Sequence, residues 1–257
     1  MKTLHTLPNE LSDLKNPPKQ LFYKGNVKLL AKKKIAIVGS RRPYSYTKNI
    51  VYELSKKLSN ADICIVSGAA MGVDAIAHSS AGVNNTIAVM GNALDIVYPK
   101  INNNLIKNIE TKGLALSQFE PGFRATPWSF VLRNKIVVAL ADAVIIAQAD
   151  INSGSMRSAE FALEQNKEIF VLPHRLGESL GTNKLLHDKK ANVIYDIDEF
   201  VAKISNNINT KPIKDKFWEF CSNFPKYQEA IKIYKDRVFE AELNGEITVE
   251  NGIIRVC

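Results

Sequence analysis

The fold is indicated first by one stretch near the start of the chain, Ile35-Ala36-Ile37-Val38-Gly39-Ser40-Arg41-Arg42-Pro43. Its four leading apolar residues, three of them β-branched, are typical of a strand buried on both faces of a parallel sheet. Gly39 then permits a turn, and Pro43 suits the first turn of a helix. Free N–H groups and the dipole at a helix start attract anions, so Arg41 and Arg42 beside them predict a site for a phosphate-bearing partner. An ordinary turn with two solvated arginines is the alternative.

Strand-like and helix-like segments alternate from residue 35 to residue 205. The predicted strands are residues 35–38, 63–66, 86–90, 114–117, 143–147, 168–172 and 192–195. The predicted helices are residues 44–59, 72–81, 102–112, 127–140, 154–166, 181–189 and 197–205. Such alternation predicts an α/β fold with a doubly wound, mostly parallel sheet and helices on both faces. Ligands of these sheets bind at the carboxyl ends of the strands, so the turns that follow the strands are the candidate sites.

The segments on either side of this alternation divide the chain further. The predicted domains are residues 1–34 (N-terminal extension), 35–205 (main domain), 206–215 (linker) and 216–257 (winged-helix-like module). The extension is polar and is expected to hold a short helix near residues 9–15. The linker is rich in Asn and Lys. The C-terminal module contains two helical segments, 216–223 and 227–244, followed by a hairpin that turns at Asn251-Gly252.

The charge of the chain favours a polyanionic partner, chiefly nucleic acid or an anionic membrane. Lys and Arg number 34, and Asp and Glu 26, in 257 residues, which gives a net charge of +8. Residues 206–257 contain eight charges of each sign, so residues 1–205 carry the whole surplus. Nucleic acid is therefore expected on the larger domain. A winged helix that reads DNA should be basic, so the neutral C-terminal module predicts a protein–protein role, such as self-association.

Several classes of protein are disfavoured by motifs that the sequence lacks. Its three cysteines are far apart and form no CxxC pair, which argues against a disulfide framework or a zinc site. No basic and apolar leader opens the chain, and no apolar run approaches the roughly 20 residues needed to cross a bilayer. We therefore expect a soluble, cytoplasmic protein that does not enter a membrane. The GxxxxGK[ST], GxGxxG, HExxH and GxSxG patterns are missing too, so no cofactor, catalytic metal or acyl-transfer triad is predicted.

Small residues make up the turn after the second predicted strand, Ser67-Gly68-Ala69-Ala70-Met71-Gly72-Val73-Asp74. Gly68 and Gly72 permit close approach of the backbone to a phosphate or a base. Asp74 and His78 are four residues apart on one helical face and are expected to form a hydrogen bond. With no nucleophile or metal ligand beside them, a structural pair that braces the turn is favoured over a catalytic pair.

Aromatic and basic residues interleave on the helix predicted to start near Pro127, at Trp128, Phe130, Arg133 and Lys135. Basic groups that hold phosphates, next to rings on which bases stack, are what a single-strand binder needs. One of the two rings is expected in the core, and Phe130 is predicted to be the exposed one. Ser153-Gly154-Ser155 at the next helix start is a further anion-binding arrangement. Together the turns predict one continuous groove.

In combination, these motifs resemble those of the DNA-processing protein A (DprA/Smf) family of bacterial transformation proteins. The pieces that carry the resemblance are PKQLFYKG (18–25), IAIVGSR (35–41), VSGAAMGVD (66–74), FVLRNK (130–135), SGS (153–155) and GTNKLL (181–186). They run in the family's order, and their combination is specific although each piece is common. Three positions depart from the family's pattern. Ser117-Gln118 stands where the family usually has Ser-Glu, Pro173-His174 where it usually has Pro-Gly, and Asn92-Ala93 where it usually has a Gly-containing turn.

The resemblance implies an extended Rossmann-like domain that binds single-stranded DNA, forms a homodimer, protects incoming DNA and loads the RecA recombinase in natural transformation. It implies that no reaction is catalysed. By motif match, the DNA-facing residues are Gly39, Ser40, Arg41, Ser67, Gly68, Gly72, Arg133, Asn134, Lys135, Ser153, Gly154 and Ser155. Charge and stacking arguments add Arg42, Phe130 and Arg157.

The alternative function is that of a Rossmann-like phosphoribohydrolase, an enzyme that cleaves nucleoside monophosphates. Glu160 would be its acid. The stretch SGSMRSAE (153–160) lacks the paired glycines and the threonine of the PGGxGTxxE pattern that this class resembles. A solvated helix carboxylate is therefore the favoured interpretation of Glu160.

Overall fold

The structure, a computed structural model, describes residues 1–12, 14–205, 216–221, 225–250 and 252–256. The chain divides into two compact units, residues 1–205 and residues 206–257. The predicted linker, residues 206–215, lies outside the described residues, as does Asn251 of the predicted hairpin turn.

A nine-stranded sheet runs through the larger unit. Its strands are β1 (Lys2–Thr3), β2 (Phe22–Gly25), β3 (Lys34–Val38), β4 (Cys64–Ser67), β5 (Thr86–Val89), β6 (Leu114–Ser117), β7 (Ala143–Ile146), β8 (Glu168–Val171) and β9 (Asn192–Val193). Their order across the sheet is β1-β2-β6-β5-β4-β3-β7-β8-β9. Neighbours from β6 to β9 pair in parallel, whereas β1 with β2 and β2 with β6 pair antiparallel. The strand order reverses at β3, which confirms the doubly wound, mostly parallel sheet.

The helices of this unit follow the predicted alternation. They are α1 (Asn9–Ser12), α2 (Ser45–Asn60), α3 (Val73–Ala81), α4 (Asn103–Lys112), α5 (Pro127–Leu140), α6 (Gly154–Glu164), α7 (Leu180–His187) and α8 (Ile197–Ser205). Between residues 35 and 205 the predicted bounds of strands and helices agree with the structure to within two residues. Within the described ranges, no helix has the length and apolar character required to span a membrane.

The core lies on both faces of the sheet, and β3 shows why its sequence does not alternate. Ala36 and Val38 belong to one buried cluster, to which α5 and α6 contribute most of the helical side chains and α1 and α7 contribute Leu11 and Leu185. Ile35 and Ile37 point the other way, into a cluster covered by α2, α3 and α8. Because both faces of the strand are covered, apolar residues are required at every position. The predicted layers of helices on both faces are therefore present.

The first 34 residues form part of the same sheet. β1 and β2 extend it beyond β6, and Leu11, Leu21 and Leu29 are buried in the cluster under α5. The short predicted helix corresponds to α1, which ends at Ser12. The segment that the sequence sets apart as an extension is thus an integral part of the larger unit.

The described residues of the smaller unit form three helices and a hairpin. Its described elements are α9 (Lys216–Cys221), α10 (Tyr227–Tyr234), α11 (Asp236–Leu243), β10 (Ile247–Glu250) and β11 (Ile253–Val256). The strands β10 and β11 pair antiparallel, as predicted. The single helix predicted over residues 227–244 is wrong, because Lys235 has a φ of 44° and interrupts it. Phe217, Val238 and Ile254 are buried together in a small core of their own.

Candidate nucleic-acid interface

A cavity of about 260 Å³ lies at the carboxyl edge of the sheet, where the strand order reverses. It opens between the turn that follows β3 and the turn that follows β7, which is where ligands of doubly wound sheets bind. Nine of the fifteen predicted DNA-facing residues line it: Gly39, Ser40, Arg41, Phe130, Arg133, Asn134, Ser153, Gly154 and Ser155. The structure therefore brings together turns that are up to 116 residues apart in the sequence. We call this space the switch-point cavity.

The turn after β3 contributes Arg41 rather than a helix start. Helix α2 begins at Ser45, and the side chain of Gln148 caps it: Oε1 accepts hydrogen bonds from the Tyr44 N–H (2.9 Å) and the Thr47 hydroxyl (2.8 Å). Gln148 thus takes up the N–H of the residue that precedes the helix, and the anion site at this helix start stays a prediction. The Arg41 side chain is exposed at the mouth of the cavity and remains available to a phosphate.

Helix α6 presents its N-terminus to the cavity instead. Ser153 is the N-cap residue, and its hydroxyl accepts a hydrogen bond from the Met156 N–H (3.4 Å). Gly154 is exposed, and an added Cβ there would meet nothing within 4 Å. The first N–H groups of a helix have no partners within the helix, and the helix dipole places partial positive charge on them. The Ser153-Gly154-Ser155 turn is thus built to accept an anion.

A buried ion pair forms the floor of the cavity. Arg133 is only 5% exposed, and its Nη1 lies 3.9 Å from Oδ2 of Asp74 and donates to the Val89 carbonyl oxygen (3.3 Å). Burial raises the pKa of the Asp74 carboxyl, while Arg133 and the donating N–H groups of Gly68 and Ala70 act in the opposite direction. Arg133 Nε is buried and has no hydrogen-bond partner among the described residues. The two charges compensate each other, and Arg133 Nε is a buried donor that a ligand could use.

The predicted hydrogen bond between Asp74 and His78 does not form. His78 Nδ1 lies 2.5 Å from the Thr86 hydroxyl, which itself donates to the Ile65 carbonyl oxygen (2.9 Å). The Thr86 hydrogen is thereby committed, so Nδ1 of His78 must carry the proton and donate. Burial, with Arg133 as a second cause, lowers the pKa of His78 to about 3. Asp74 does brace the turn, as predicted, but His78 braces β5.

The two aromatic residues of α5 have the reverse of their predicted roles. Phe130 is half-buried, and the guanidinium carbons of Arg41 and Arg133 lie 5.6 Å and 5.8 Å from the centre of its ring. A Cβ on Gly91 would come within 2.6 Å of this ring, so the missing side chain makes room for it. Trp128, in the first turn of the helix, is 52% exposed. The prediction that Phe130 is the exposed ring is wrong, although its ring does line the cavity.

Three predicted residues support the cavity from behind its wall. Ser67 is completely buried, and its hydroxyl donates to the Ile37 carbonyl oxygen (2.6 Å), so the side chain is not available to a ligand. Gly68 leaves the space that Arg133 fills. Gly72 has a φ of +78°, and a Cβ there would lie 2.4 Å from the Ser40 carbonyl oxygen. All three positions shape the site without lining it.

The remaining predicted basic residues lie outside the cavity lining. Arg42 is exposed. Lys135 is half-buried, with its Nζ 5.0 Å from the centre of the Phe161 ring. Arg157 forms a surface ion pair with Glu160 (3.0 Å), which places the acid of the alternative enzyme outside the cavity as well.

Sequence reasoning missed several lining residues, of which Ser158 is the most informative. Its hydroxyl is buried and has no hydrogen-bond partner in the part of the chain that the structure describes. Ser158 lies four residues after Gly154, on the same side of α6, so helical periodicity was the signal that could have found it. Asp150 and Asp74 also line the cavity. No group of three or more His, Cys, Asp or Glu residues among the described residues could hold a metal ion.

Comparison with known proteins identifies the family. The profile described as DNA recombination-mediator protein A matches residues 3–205. The chain belongs to this family. The DNA processing protein DprA of Streptococcus pneumoniae is 38% identical over 185 residues, which are 70% of this chain and 65% of that protein. The chain thus spans slightly less than two thirds of the length of that relative.

Two solved structures of the family share the fold. One, described as showing the unique single-stranded DNA binding mode of DNA processing protein A from Helicobacter pylori, has a TM-score of 0.79 and 43% identity. The aligned region covers 80% of this chain and 96% of the Helicobacter pylori chain. The X-ray structure of DprA from Streptococcus pneumoniae has a TM-score of 0.72 and 36% identity, and covers 77% of this chain and 70% of that one. The Rossmann-like assignment of the larger unit is thereby confirmed.

Proposed function

We propose that this chain binds single-stranded DNA at the switch-point cavity and catalyses no reaction there. The observation that carries the proposal is the convergence of Arg41, the N-terminus of α6 and the Phe130 ring on one cavity of about 260 Å³. The first two neutralise a phosphate, and the ring offers a base a surface on which to stack. The Helicobacter pylori relative, described by its single-stranded DNA binding mode, supports the same ligand.

Preference for single strands follows from this pairing of charge with an aromatic ring. In a duplex, each base is stacked on its neighbours and paired, so it cannot reach a ring set beside a phosphate site. In a single strand the base can turn out of the stack. The surplus of positive charge in residues 1–205 adds an attraction for the backbone that does not depend on sequence.

We extend the proposal to the family role suggested by the resemblance. The chain would act in the cytoplasm as a homodimer, protect incoming single strands and load RecA onto them during natural transformation. Membership of a family named for recombination mediation supports this role. Its test is whether the protein speeds RecA filament assembly on single strands already covered by a single-strand-binding protein.

The binding itself is tested by titrating the protein into fluorescent oligothymidine and a matching duplex at two salt concentrations. We expect tight, salt-sensitive binding to the single strand, and we expect Arg41→Ala to weaken it and to lower the salt slope by about one. Lys112→Ala is the matched control, because this exposed lysine precedes β6 at the opposite edge of the sheet. Equal effects of the two substitutions, or a preference for the duplex, would contradict the proposal.

The enzyme alternative has a direct test of its own. Incubation with nucleoside monophosphates should release no free base. Release of base that is abolished by Glu160→Gln would instead establish the phosphoribohydrolase reading.

A further inference from the structure

A second cavity, of about 570 Å³, lies on the same edge of the sheet. It is lined by residues at the start of α2 and in the turn after β8: Tyr44, Tyr46, Pro173, His174, Arg175 and Glu178. Strands β3 and β8, which lead into these two turns, are the two neighbours of β7. The turn that carries Arg41 continues directly into Tyr44 and Tyr46. The short segment from Arg41 to Tyr44 therefore connects the linings of the two cavities.

Aromatic rings dominate the walls of this second cavity. Tyr44 and Tyr46 are 47% and 43% exposed, although both are large rings that could have packed into the core. The Tyr46 ring meets His174 edge to face, with ring centres 5.6 Å apart and planes at 85°. His174 is itself held in place, because its Nε2 lies 2.9 Å from the Ala147 carbonyl oxygen. The result is a fixed aromatic wall with open space in front of it.

The charges in this cavity balance. Arg175 and Glu178 both line it, and neither side chain forms an ion pair or a side-chain hydrogen bond with any described residue. Burial raises the pKa of Tyr46, so its hydroxyl stays neutral at physiological pH. Net attraction for a phosphate by these two side chains is therefore small. The chemistry of this second cavity suits a flat, uncharged aromatic group.

We propose that the second cavity is a nucleobase subsite for the same DNA strand, in which a base stacks on Tyr44 or Tyr46. The strand's phosphate would lie at Arg41 and the start of α6, and the chain would continue across the turn after β7 to the tyrosines. This inference rests on the proposed function, because the strand must first occupy the switch-point cavity. It adds a site in which stacking, and not charge, contributes the affinity.

The test compares the double variant Tyr44→Ala/Tyr46→Ala with the unaltered protein on oligothymidines of increasing length. On strands long enough to reach both cavities we expect about tenfold weaker binding, the usual loss for one stacked base. On the shortest strands that still bind we expect no change. We also expect the salt slope to stay the same, because no phosphate contact is removed. Arg41→Ala should do the opposite, lowering the slope at every length.

Two control variants make the outcome decisive. Tyr44→Phe/Tyr46→Phe should bind normally, because it keeps the rings and loses only the hydroxyl groups. Tyr52→Ala removes another exposed tyrosine of α2 that lies outside this cavity, and it should have no effect. An equal loss on short and long strands, a lowered salt slope or no loss at any length would overturn the inference. If the unaltered protein binds no single strand at all, the proposed function itself is wrong.

Discussion

Arg133 Nη1 lies 3.9 Å from Asp74 Oδ2, and both side chains are almost completely buried beneath the switch-point cavity. Removing one member of such a buried pair leaves the other charge without compensation, which typically costs about 3–5 kcal/mol. We therefore expect Asp74→Asn to lower the free energy of unfolding by about 3 kcal/mol, measured by urea denaturation. Asp198→Asn breaks an exposed ion pair with Lys57 and should cost about 1 kcal/mol or less. Equal losses in the two variants would contradict this account.

The buried His78 gives stability a specific dependence on pH. Its pKa is about 3 in the folded protein and near 6.5 when the side chain is exposed. Between these values the unfolded chain binds a proton that the folded protein does not, so stability falls as the pH is lowered from 6.5 towards 3. The plot of unfolding free energy against pH should be steeper for the unaltered protein than for His78→Asn, by about 1.4 kcal/mol per pH unit.

Two glycines near the cavity should respond in opposite ways to substitution by alanine. At Gly68 the new Cβ would lie 1.1 Å from Arg133 Nη1, so the buried guanidinium would have to move. Gly68→Ala should destabilise the protein by about 1–3 kcal/mol, as overpacking does, and should weaken DNA binding as well. At Gly154 the Cβ meets open space, so Gly154→Ala should leave the melting temperature unchanged or slightly higher. A weaker affinity in that variant would then report crowding of the phosphate at the start of α6.

The Ser158→Ala variant tests whether the Ser158 hydroxyl serves ligand binding or stability. Its hydroxyl is buried without a partner among the described residues, so Ser158→Ala removes no hydrogen bond between them. Stability should therefore be unchanged or higher, since an unsatisfied buried hydroxyl costs about 1–3 kcal/mol. If the hydroxyl contacts a phosphate in the complex, the dissociation constant for oligothymidine should rise about tenfold or more. Unchanged affinity would remove Ser158 from the site.

The neutral C-terminal unit should contribute little to DNA affinity. Residues 206–257 carry eight charges of each sign, whereas residues 1–205 form a compact unit that holds the whole surplus. A protein truncated after Ser205 should therefore bind oligothymidine within about tenfold of the full chain. Its oligomeric state should be measured by analytical ultracentrifugation in parallel, because the proposed role of this unit is contact with protein. A hundredfold loss of DNA affinity would contradict a protein-binding role for the C-terminal unit.

The fold could be predicted because its signals are local. The run from Ile35 to Val38 is apolar at every position, and the structure covers both faces of that strand. Periodicity gave a wrong prediction in the smaller unit, because the apolar pattern continues across Lys235 but the helical backbone conformation is interrupted there. Hydrophobic periodicity also gave no indication that Leu11 and Leu21 are buried in the main core, because isolated leucines in a polar segment form no repeating pattern.

The site was predictable as a set of turns but not as a set of side-chain roles. The sequence pattern predicted that Arg133 lies near the ends of the strands. Only the structure shows that its guanidinium is buried, paired with Asp74 and packed in the space that Gly68 leaves. Similarly, a proline after Arg42 suggests a helix start, while the residue that caps that helix, Gln148, comes a hundred residues later. Contacts made across the sheet have no local signature, which is why these roles were missed.

Gln148 fastens the loop that carries Arg41 at two points. Its backbone carbonyl oxygen accepts a hydrogen bond from the Ser40 N–H (2.9 Å), and its side chain holds Tyr44 and Thr47. The loop is therefore ordered before any ligand arrives, and the conformational entropy lost on binding comes chiefly from the ligand. The affinity for a preorganised loop of this kind therefore depends on the free energy that a flexible DNA strand needs to become extended. Segments of strand that fold back on themselves should thus be the poorest ligands, whatever their charge.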